Sequence, residues 1–227
     1  MADAISEIQS MVRRGAAGYS IAINAEKIMR SRDDPAFRDM VNGACIKVPD
    51  GAGAVIGLRL LHGIRSAKID FPKATLMAAQ LLGAECRLAV VGATAESNAG
   101  AVARIRELYP QANVVLQRSG FTPEDELLEA LQAVQPSLCL IAMGTPKQEL
   151  FAQRAMAAGI RCLFVNCGGA LDILSGKSVR APAWMVENGM EWLYRLLKEP
   201  SRWRRQLVLP QFLGVLLLAS FRQRAGI

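Results

Sequence analysis

Asp50 is the carboxylate whose position best suits acid–base chemistry, because Pro49-Asp50-Gly51 directly follows a short apolar segment. At the end of a strand, a carboxylate can accept the proton of an attacking alcohol as a general base. Pro-Asp-Gly is also a common turn sequence, so a plain β-turn is the alternative. The single histidine, His62, has no metal-binding partner at a useful spacing. This argues against a His-based catalytic triad and against a zinc site.

Two glycine-containing segments show the order strand, turn, helix start, which can hold a phosphate on backbone N–H groups. The segment VVGATAES, residues 90–97, lacks both the GxGxxG and the P-loop pattern, so an ordinary turn with Thr94 as helix cap stays open. The second segment is MGTPKQE, residues 143–149. There Gly144 allows close approach of a ligand, and Pro146 suits the first turn of a helix.

Lys147, Gln148 and Glu149 open the helix that follows this second turn. Three polar side chains at the end of a buried strand are costly unless solvent or a ligand meets them. The alternative is a capped turn in which Glu149 only complements the helix dipole.

The segment CGGALDILSGKSVRAP, residues 167–182, could contact a nucleotide through Asp172, Lys177 and Arg180. Its alternative is a glycine-rich connection that leads to a surface helix. The chain contains no Asp-x-Asp pair, which many metal-dependent transferases use to hold a nucleotide diphosphate. A transfer from such a donor would therefore depend on Arg, Lys and helix N-termini to stabilise the leaving charge.

Short apolar segments alternate along the chain with segments of helical period, which predicts a parallel sheet covered by helices on both faces. The predicted strands are Tyr19–Ile23, Cys45–Val48, Arg87–Val91, Asn113–Leu116, Leu138–Ala142 and Cys162–Val165. The predicted helices are Pro35–Asn42, Gly53–Leu61, Phe71–Leu82, Ala95–Tyr109, Pro123–Gln135 and Pro146–Ala158. This alternation is typical of a Rossmann-like, mostly parallel α/β fold.

The segments that leave the predicted strands are polar and rich in glycine. In open α/β sheets ligands bind at the carboxyl ends of the strands, so we expect all of these segments at one edge of the sheet. They comprise residues 24–26, 49–51, 92–94, 120–121, 144–149 and 168–172.

The segment between Arg195 and Arg224 carries most of the net charge of the chain. Between Arg195 and Arg224 there are seven basic residues and one acid, which accounts for +6 of the formal +7. Trp, Leu and Val alternate with the arginines in a helical pattern, and the apolar run LGVLLLASF follows. A basic amphipathic tail of this kind is typical of a membrane surface. The alternatives are a helix packed on protein and a nucleic-acid tail, although the apolar run speaks against nucleic acid.

The composition predicts one domain with an appendage, a body over residues 1–182 and a helical appendage over residues 183–227. Hydrophobic residues make up 52% of the 227 and aromatics 6%, which excludes disorder and predicts a core of Ala, Leu, Val and Ile. The N-terminus lacks the pattern of a signal peptide. No run reaches about 20 apolar residues; we expect residues 207–221 to lie on a membrane rather than enter it as a re-entrant hairpin.

The five cysteines are scattered without a CxxC pair, which predicts buried, reduced thiols in a cytosolic protein.

Taken together, the motifs resemble the WecG/TagA/CpsF glycosyltransferase family (glycosyltransferase family 26). The matching segments occur in the order of the family and span most of the chain between residues 19 and 206. They are INAEK (23–27), PDG (49–51), VVG (90–92), YP (109–110), GF (120–121), MGTPKQELF (143–151), GGALDILSG (168–176), RAP (180–182) and MEWLYRLLKEPSRWRRQ (190–206).

The resemblance implies an inverting, cofactor-free and metal-independent transfer of an N-acetylmannosamine-type sugar from UDP. The acceptor would be the 4-hydroxyl of GlcNAc on undecaprenyl diphosphate, and Asp50 would be the base that deprotonates it. Asn24 would position the donor or the acceptor. The residues implied in substrate binding are Gly92, Phe121, Gly144, Lys147, Gln148, Glu149, Gly169, Asp172, Arg180, Arg195, Arg202 and Arg205. The last three would meet the diphosphate groups from the tail.

Within the family, AINAEK and AMGTPKQE look closest to the branch that transfers N-acetyl-D-mannosaminuronic acid in enterobacterial common antigen synthesis. Ala22 replaces a Thr common among relatives, and Lys68 stands where Gly is usual. UDP-ManNAc or UDP-glucose as donor, for teichoic acid or exopolysaccharide, therefore stays open. So does a membrane-docked, non-catalytic sensor of nucleotide sugars. We expect a cytoplasmic protein, peripheral on the inner face of a bacterial membrane, without nucleic acid as partner, and a homo-oligomer stays open.

Overall fold

The computed structural model describes residues 1–66, 69–187, 190–198, 203 and 207–225, with the backbone alone for residues 183, 187, 195, 224 and 225. Six parallel strands form one sheet in the order β2-β1-β6-β5-β3-β4. The strands are β1 Gly18–Ile23, β2 Ile46–Pro49, β3 Leu88–Gly92, β4 Val114–Arg118, β5 Leu138–Ala142 and β6 Leu163–Asn166. The predicted Rossmann-like α/β fold is confirmed, and each predicted strand is present.

Helices connect the strands and follow the last of them. In the described parts of the chain they are α1 Ala2–Arg13, α2 Ala25–Asp33, α3 Pro35–Gly43, α4 Gly51–His62, α5 Phe71–Leu82, α6 Ala95–Leu108, α7 Glu124–Val134, α8 Lys147–Ala157, α9 Ala170–Leu174, α10 Ala183–Glu187, α11 Glu191–Lys198 and α12 Val208–Ala225. Each predicted helix is present, with ends that shift by at most two residues.

Two details of the turns differ from the sequence prediction. Ala25 and Glu26 were expected in a loop, but they form the first turn of α2, because the Asn24 side chain caps the helix directly after β1. Pro146 was expected inside the first turn of its helix, but it is the cap residue before α8.

The centre of the sheet is formed by β3 and β5, in which every residue is buried. They pair in register, with Val90 opposite Leu140. Strands buried on both faces read as continuous apolar runs, which is why both were recognisable from the sequence. The chain places β4 on one side of β3 and β5 on the other. The connections that leave β3 and β5 therefore run in opposite directions, which makes this the topological switch point where α/β sheets bind ligands.

The chain divides into two compact units. The first unit comprises Met1–Ile21, Ala44–Ile46 and Asp70–Val179, and the second comprises Ala22–Gly43, Lys47–Ile69 and Arg180–Ile227. The first unit thus contains α1 and α5 to α9, and the second contains α2 to α4 and α10 to α12. The body and appendage predicted with a boundary at residues 182 and 183 remain a prediction.

In the second unit, α12 packs on α2 and α4 through small residues. Phe212 and Leu216 of α12 form a buried cluster with Ala25. A Cβ added to Gly53 of α4 would lie 3.1 Å from the Phe212 ring, so glycine lets the two helices approach closely. The apolar segment near the C-terminus therefore has one face packed on protein.

Candidate functional site

In the first unit, the loops that follow β3, β4 and β5 are hydrogen-bonded to one another. The Ala93 N–H donates to the Ala142 carbonyl oxygen (2.8 Å), and the Gly120 N–H donates to the Ala93 carbonyl oxygen (2.9 Å). The Lys147 Nζ donates to the Gly120 carbonyl oxygen at 3.0 Å. Three loops that are distant in sequence therefore form one surface at the switch point. An ammonium group has three donors, so Lys147 keeps two beyond the bond to Gly120.

Gly92, at the end of β3, pairs with Ala142 of β5. Its φ is +131°, and an added Cβ would lie 2.4 Å from the Ala142 carbonyl oxygen. Gly120 approaches in turn, since its added Cβ would lie 3.0 Å from the Gly92 Cα. Both glycines are buried, and the packing of the loops requires them.

Asn98 holds the same loops together through its side chain. The sequence analysis did not single it out. It is buried in α6, and its Nδ2 lies within 2.9 to 3.3 Å of three carbonyl oxygens, those of Val90, Gly92 and Arg118. Thr94 caps the same helix, with its side chain accepting the Ser97 N–H, as predicted for the turn alternative. The signal available in the sequence was an asparagine four residues after Thr94, the predicted helix cap.

A group of buried polar side chains follows β5. Glu149 is 0% exposed, and its Oε1 accepts hydrogen bonds from Thr145 Oγ1 (2.9 Å) and Gln148 Nε2 (3.3 Å). Burial raises the pKa of Tyr19, the hydrogen bond from Gln153 opposes this, and the charge of Glu149 adds to the rise. The Glu149 carboxylate is thus surrounded by protein atoms at the start of α8.

Two buried amides in this region have unused hydrogen-bonding atoms. Within the part of the chain that the structure describes, Gln148 Oε1 and both amide atoms of Asn166 have no hydrogen-bond partner. Buried polar atoms are nearly always paired, so such atoms mark a place where a ligand or water completes the bonds. Asn166 ends β6, the strand beside β5, and the sequence analysis did not single it out.

The other predicted substrate residues of the first unit are more open. Phe121 is 79% exposed at the loop after β4, which suits stacking on a flat ring. Gly144 has a φ of +78°, so the turn before α8 requires glycine. Gly169 caps α9, and Asp172 lies half-buried in its first turn. The residues from 167 onwards thus form a glycine-rich turn that leads into a short helix.

In the second unit, Asp50 directly follows β2 and caps α4. Its N–H donates to the Ile23 carbonyl oxygen at 2.7 Å, which brings it beside the end of β1. The half-buried carboxylate makes no hydrogen bond to the helix that it caps. A cap side chain normally accepts such a bond. The Asp50 carboxylate oxygens can therefore accept a hydrogen bond from another group.

Asn24 is the neighbouring polar residue at the end of β1. Its Oδ1 accepts the Lys27 N–H at 2.9 Å and caps α2. This bond uses the side-chain oxygen of Asn24. Its amide N–H groups can donate to a ligand or to solvent. Asn24 therefore has a structural function in addition to the one implied by the resemblance.

Arg180, a predicted substrate residue, is exposed and lies in the second unit. Arg195 is part of α11, of which only the backbone is described at this position. Arg202, Arg205 and Lys68 lie outside the described residues, so their predicted roles stay predictions.

The helices of the tail expose large apolar side chains. In α12 these are Leu213, Leu217, Leu218 and Phe221, whereas Phe212 and Leu216 are buried. Trp192 and Leu197 are exposed on α11. Across the described ranges, no helix is both long enough and apolar enough to cross a bilayer. The described side chains also include no group of three or more His, Cys, Asp or Glu that could hold a metal ion.

An all-parallel sheet whose glycine-rich loops gather at a topological switch point is typical of α/β enzymes that bind phosphorylated ligands. The sequence model of the Glycosyl transferase WecG/TagA/CpsF family matches residues 1–226 of the chain. The chain belongs to this glycosyltransferase family. Membership implies a nucleotide-sugar donor and an acceptor.

Proposed function

We propose that the protein is an inverting glycosyltransferase that moves N-acetyl-D-mannosaminuronic acid from UDP to the 4-hydroxyl of GlcNAc on undecaprenyl diphosphate. This is a reaction of bacterial surface polysaccharide synthesis, of the enterobacterial common antigen type. The observation that carries the proposal is Asp50, a half-buried carboxylate after β2 that makes no bond to the helix it caps.

The reaction is a single displacement at the anomeric carbon of the donor. The acceptor oxygen forms the new bond to this carbon, and the bond to the β-phosphate oxygen of UDP breaks with both electrons going to UDP. Asp50 accepts the proton of the acceptor hydroxyl, which contributes about 10²–10⁴-fold in rate for a well-placed base. The amide N–H groups of Asn24 would orient a hydroxyl or carbonyl oxygen of one sugar.

The first unit supports binding of the UDP part. Gln148 and Asn166 present amide atoms with no partner among the described residues, which suit the alternating donors and acceptors of uracil or the ribose hydroxyls. Lys147 and the loop N–H groups would stabilise the negative charge that develops on the leaving diphosphate. Phe121 offers an exposed ring for stacking. Gly169 and Asp172 would border the same nucleotide, and Arg180 stays a predicted substrate residue of the second unit.

The second unit supports attachment to a membrane surface. One face of α12 is apolar and exposed, and Lys198 and Arg222 are exposed cations on the same tail. Basic residues near an anionic surface contribute about 1 kcal/mol each. Arg195, Arg202 and Arg205 would add to this charge and meet the diphosphate of the lipid. The protein would thus act at the cytoplasmic face of the membrane, where its lipid-linked acceptor lies.

The first experiment is UDP release from UDP-ManNAcA, UDP-ManNAc and UDP-glucose, each with lipid-linked GlcNAc-diphosphate, in the presence of EDTA. Turnover of the uronate alone is the expected result. Turnover of a neutral sugar alone would keep the mechanism and reject the proposed donor.

UDP binding without release from any donor would reject the enzyme and favour a sensor of nucleotide sugars. Inhibition by EDTA, reversed by a divalent cation, would reject a metal-independent transfer. A donor incubated without acceptor is the control for simple hydrolysis.

A further inference from the structure

Asn98 of α6 joins the ends of two neighbouring strands. Its side chain is buried, with 2% of the residue exposed. The last paired residues of β3 and β4 are Val91 and Arg118. At this edge the Asn98 Nδ2 lies 3.0 Å from the Gly92 carbonyl oxygen and 2.9 Å from the Arg118 carbonyl oxygen. A primary amide has two N–H donors, so the two shortest contacts of the Asn98 amide connect β3 to β4 where their pairing ends.

The Gly92 carbonyl and the Ala93 N–H belong to one planar peptide group. Asn98 donates to the oxygen of this group, and the Ala142 carbonyl oxygen accepts its N–H at 2.8 Å. Ala93 has a φ of +57°, which is uncommon for a residue with a Cβ. Such a conformation persists only where the surroundings determine it. Asn98 thus fixes the peptide group whose rotation would change the φ of Ala93.

The Ala93 backbone in turn holds the loop that follows β4. Its carbonyl oxygen accepts hydrogen bonds from the Gly120 N–H (2.9 Å) and from Ser119 Oγ (3.1 Å). The Gly120 carbonyl oxygen accepts a hydrogen bond from the Lys147 Nζ at 3.0 Å. A lysine side chain in solvent populates many rotamers, and this bond selects one whose ammonium group lies at the loops. A continuous series of bonds therefore connects the Asn98 amide with the Lys147 ammonium group.

We infer that Asn98 is a positioning residue of the transfer reaction, which acts on the leaving diphosphate through Lys147. This inference rests on the proposed function, in which Lys147 stabilises the negative charge on that group. Asn98 itself does not touch the substrate, since its amide is buried against backbone carbonyl oxygens. It holds Lys147 at one place before the donor binds, and a charge that is already in position costs no reorganisation in the transition state.

The main test is Asn98→Ala in the full chain, measured as steady-state UDP release from the donor that the protein turns over. Loss of the amide frees the peptide group between Gly92 and Ala93, so the position of Lys147 is no longer fixed. We expect kcat to fall by about tenfold or more. KM for the acceptor should be unchanged, because acceptor binding is assigned to residues of the second unit. An unchanged kcat would overturn the inference.

A double-mutant cycle separates positioning from a loss of structure. Lys147→Met removes the charge and keeps a long side chain, and kcat should fall by about 10²-fold or more. If Asn98 acts through Lys147, Asn98→Ala should have almost no further effect on kcat in the Lys147→Met background. Equal losses in the wild-type and Lys147→Met backgrounds would show that Asn98 only supports the fold, and would overturn the inference.

Ser137→Ala is the matched control. Ser137 Oγ accepts the Arg87 N–H at 3.0 Å. This bond joins the segments that enter β5 and β3, at the edge of the sheet opposite the loops. Its loss should leave kcat unchanged. A fall in kcat equal to that of Asn98→Ala would contradict a role that is specific to the loops.

Ser119→Ala is the second variant and keeps the inference testable if Asn98→Ala does not fold. It removes one of the two hydrogen bonds to the Ala93 carbonyl oxygen and leaves the buried amide in place. We expect kcat to fall a few fold in the wild-type background and to stay unchanged in the Lys147→Met background. A fall of equal size in both backgrounds, or no fall in either, would overturn the inference.

Calorimetry with UDP and uridine distinguishes this inference from the proposed function. Lys147 is proposed to meet the diphosphate and not the base, so Asn98→Ala should weaken UDP binding about tenfold, the size of one charge-assisted hydrogen bond. Uridine binding should be unchanged, and equal weakening of both ligands would overturn the inference.

The wild-type protein separates the two failures. If it binds UDP more tightly than uridine but transfers no sugar, the proposed reaction is rejected. Loss of that difference in Asn98→Ala would then still support Asn98 as the residue that positions Lys147 for a diphosphate. Wild-type protein that binds UDP no more tightly than uridine would overturn the inference, because Lys147 would then not meet the diphosphate.

Discussion

The two units of the molecule prepare a site in opposite ways. In the first unit, loops are held by backbone hydrogen bonds and by Asn98, and buried amides are left with unused polar atoms. In the second unit, α4 and α12 meet through glycine, and the space that remains is apolar. The first arrangement suits a flat, polar and charged ligand, and the second suits a flexible chain. The two units thus differ in the polarity of the surfaces that they offer to a ligand.

The units also differ in their natural reporters. All five cysteines lie in the first unit, whereas Trp184, Trp192 and Trp203 all lie in the second. Thiol reactivity therefore reports on the first unit and tryptophan fluorescence on the second. The stability of each unit can therefore be followed separately in the native chain.

The largest effect is expected from Asp50→Asn. The amide keeps the size of the side chain but cannot accept the acceptor proton, so kcat should fall about 10³-fold. UDP binding should be unchanged, because Asp50 is proposed to meet the acceptor hydroxyl and not the nucleotide. Steady-state UDP release and calorimetry with UDP measure the two quantities.

Asp34→Asn is the matched control for Asp50→Asn in the same unit. The Asp34 Oδ1 accepts the Phe37 N–H at 2.9 Å, a bond that lowers its carboxyl pKa, and Asn caps helices equally well. This variant should keep full activity. A similar loss in both variants would remove Asp50 from the role of base.

The second prediction compares a glycine from each unit. Gly92→Ala brings a Cβ within 2.4 Å of the Ala142 carbonyl oxygen, and backbone cannot yield, so we expect a loss of more than about 3 kcal/mol in the free energy of unfolding. In Gly53→Ala the new Cβ meets the Phe212 side chain at 3.1 Å. That ring can shift, and alanine favours the helix by about 1 kcal/mol, so the net change should be within about 1 kcal/mol. Urea unfolding followed by thiol exchange and fluorescence measures both.

Equal destabilisation by the two alanines would show that the units are packed alike. It would remove the distinction between a rigid polar surface in the first unit and an adaptable apolar contact in the second.

The third prediction concerns Asn166, which was found from the structure alone. Asn166→Leu removes a buried amide with no partner among the described residues, which should stabilise the fold by about 1–3 kcal/mol. The same change should weaken UDP binding at least tenfold, because a ligand would then meet an apolar group. Thermal unfolding with and without UDP gives both values, and a stabilised variant with unchanged UDP affinity would leave Asn166 a purely structural residue.

The smallest effect is expected from thiol chemistry. Burial raises the pKa of Cys86 to about 11 and that of Cys167 to about 12, and it raises those of Cys139 and Cys162 as well. Cys45 is exposed. An aromatic disulfide reagent should therefore titrate one thiol in the native chain and five after unfolding. Two or more reactive native thiols would contradict the closed core of the first unit.

The same thiols give the pH dependence its sign. The folded-state pKa values lie above the ordinary value of 9.0, so the unfolded chain loses these protons first. Their contribution to stability is fully present below pH 9 and declines as the pH rises toward 11 and 12. Chemical unfolding at pH 7, 9 and 10 checks this direction.

The sequence predicted the strands because parallel strands buried on both faces are continuous apolar runs bounded by glycine. It predicted the turn at Gly92 and the position of Asp50 because each of them directly follows such an apolar run. It did not predict α2, because Asn24 was read as a binding residue rather than as a helix cap.

Long-range contacts were beyond the sequence patterns. Nothing local to Gly53 or Phe212 indicates that they touch, and the apolar run in the tail looked the same whether it faced lipid or protein. Asn166 was missed because the lack of a partner is a property of the folded surroundings and not of its sequence position.

The packing of α12 on α4 also has a consequence for the order of synthesis. Gly53 and Phe212 are 159 residues apart in the chain. At about 5–20 residues per second, the ribosome needs roughly 8–30 s to bridge that distance. During this interval the glycine face of α4 is made but uncovered, so the nascent chain presents an apolar surface that a chaperone or the membrane itself can occupy before the chain's own helix arrives.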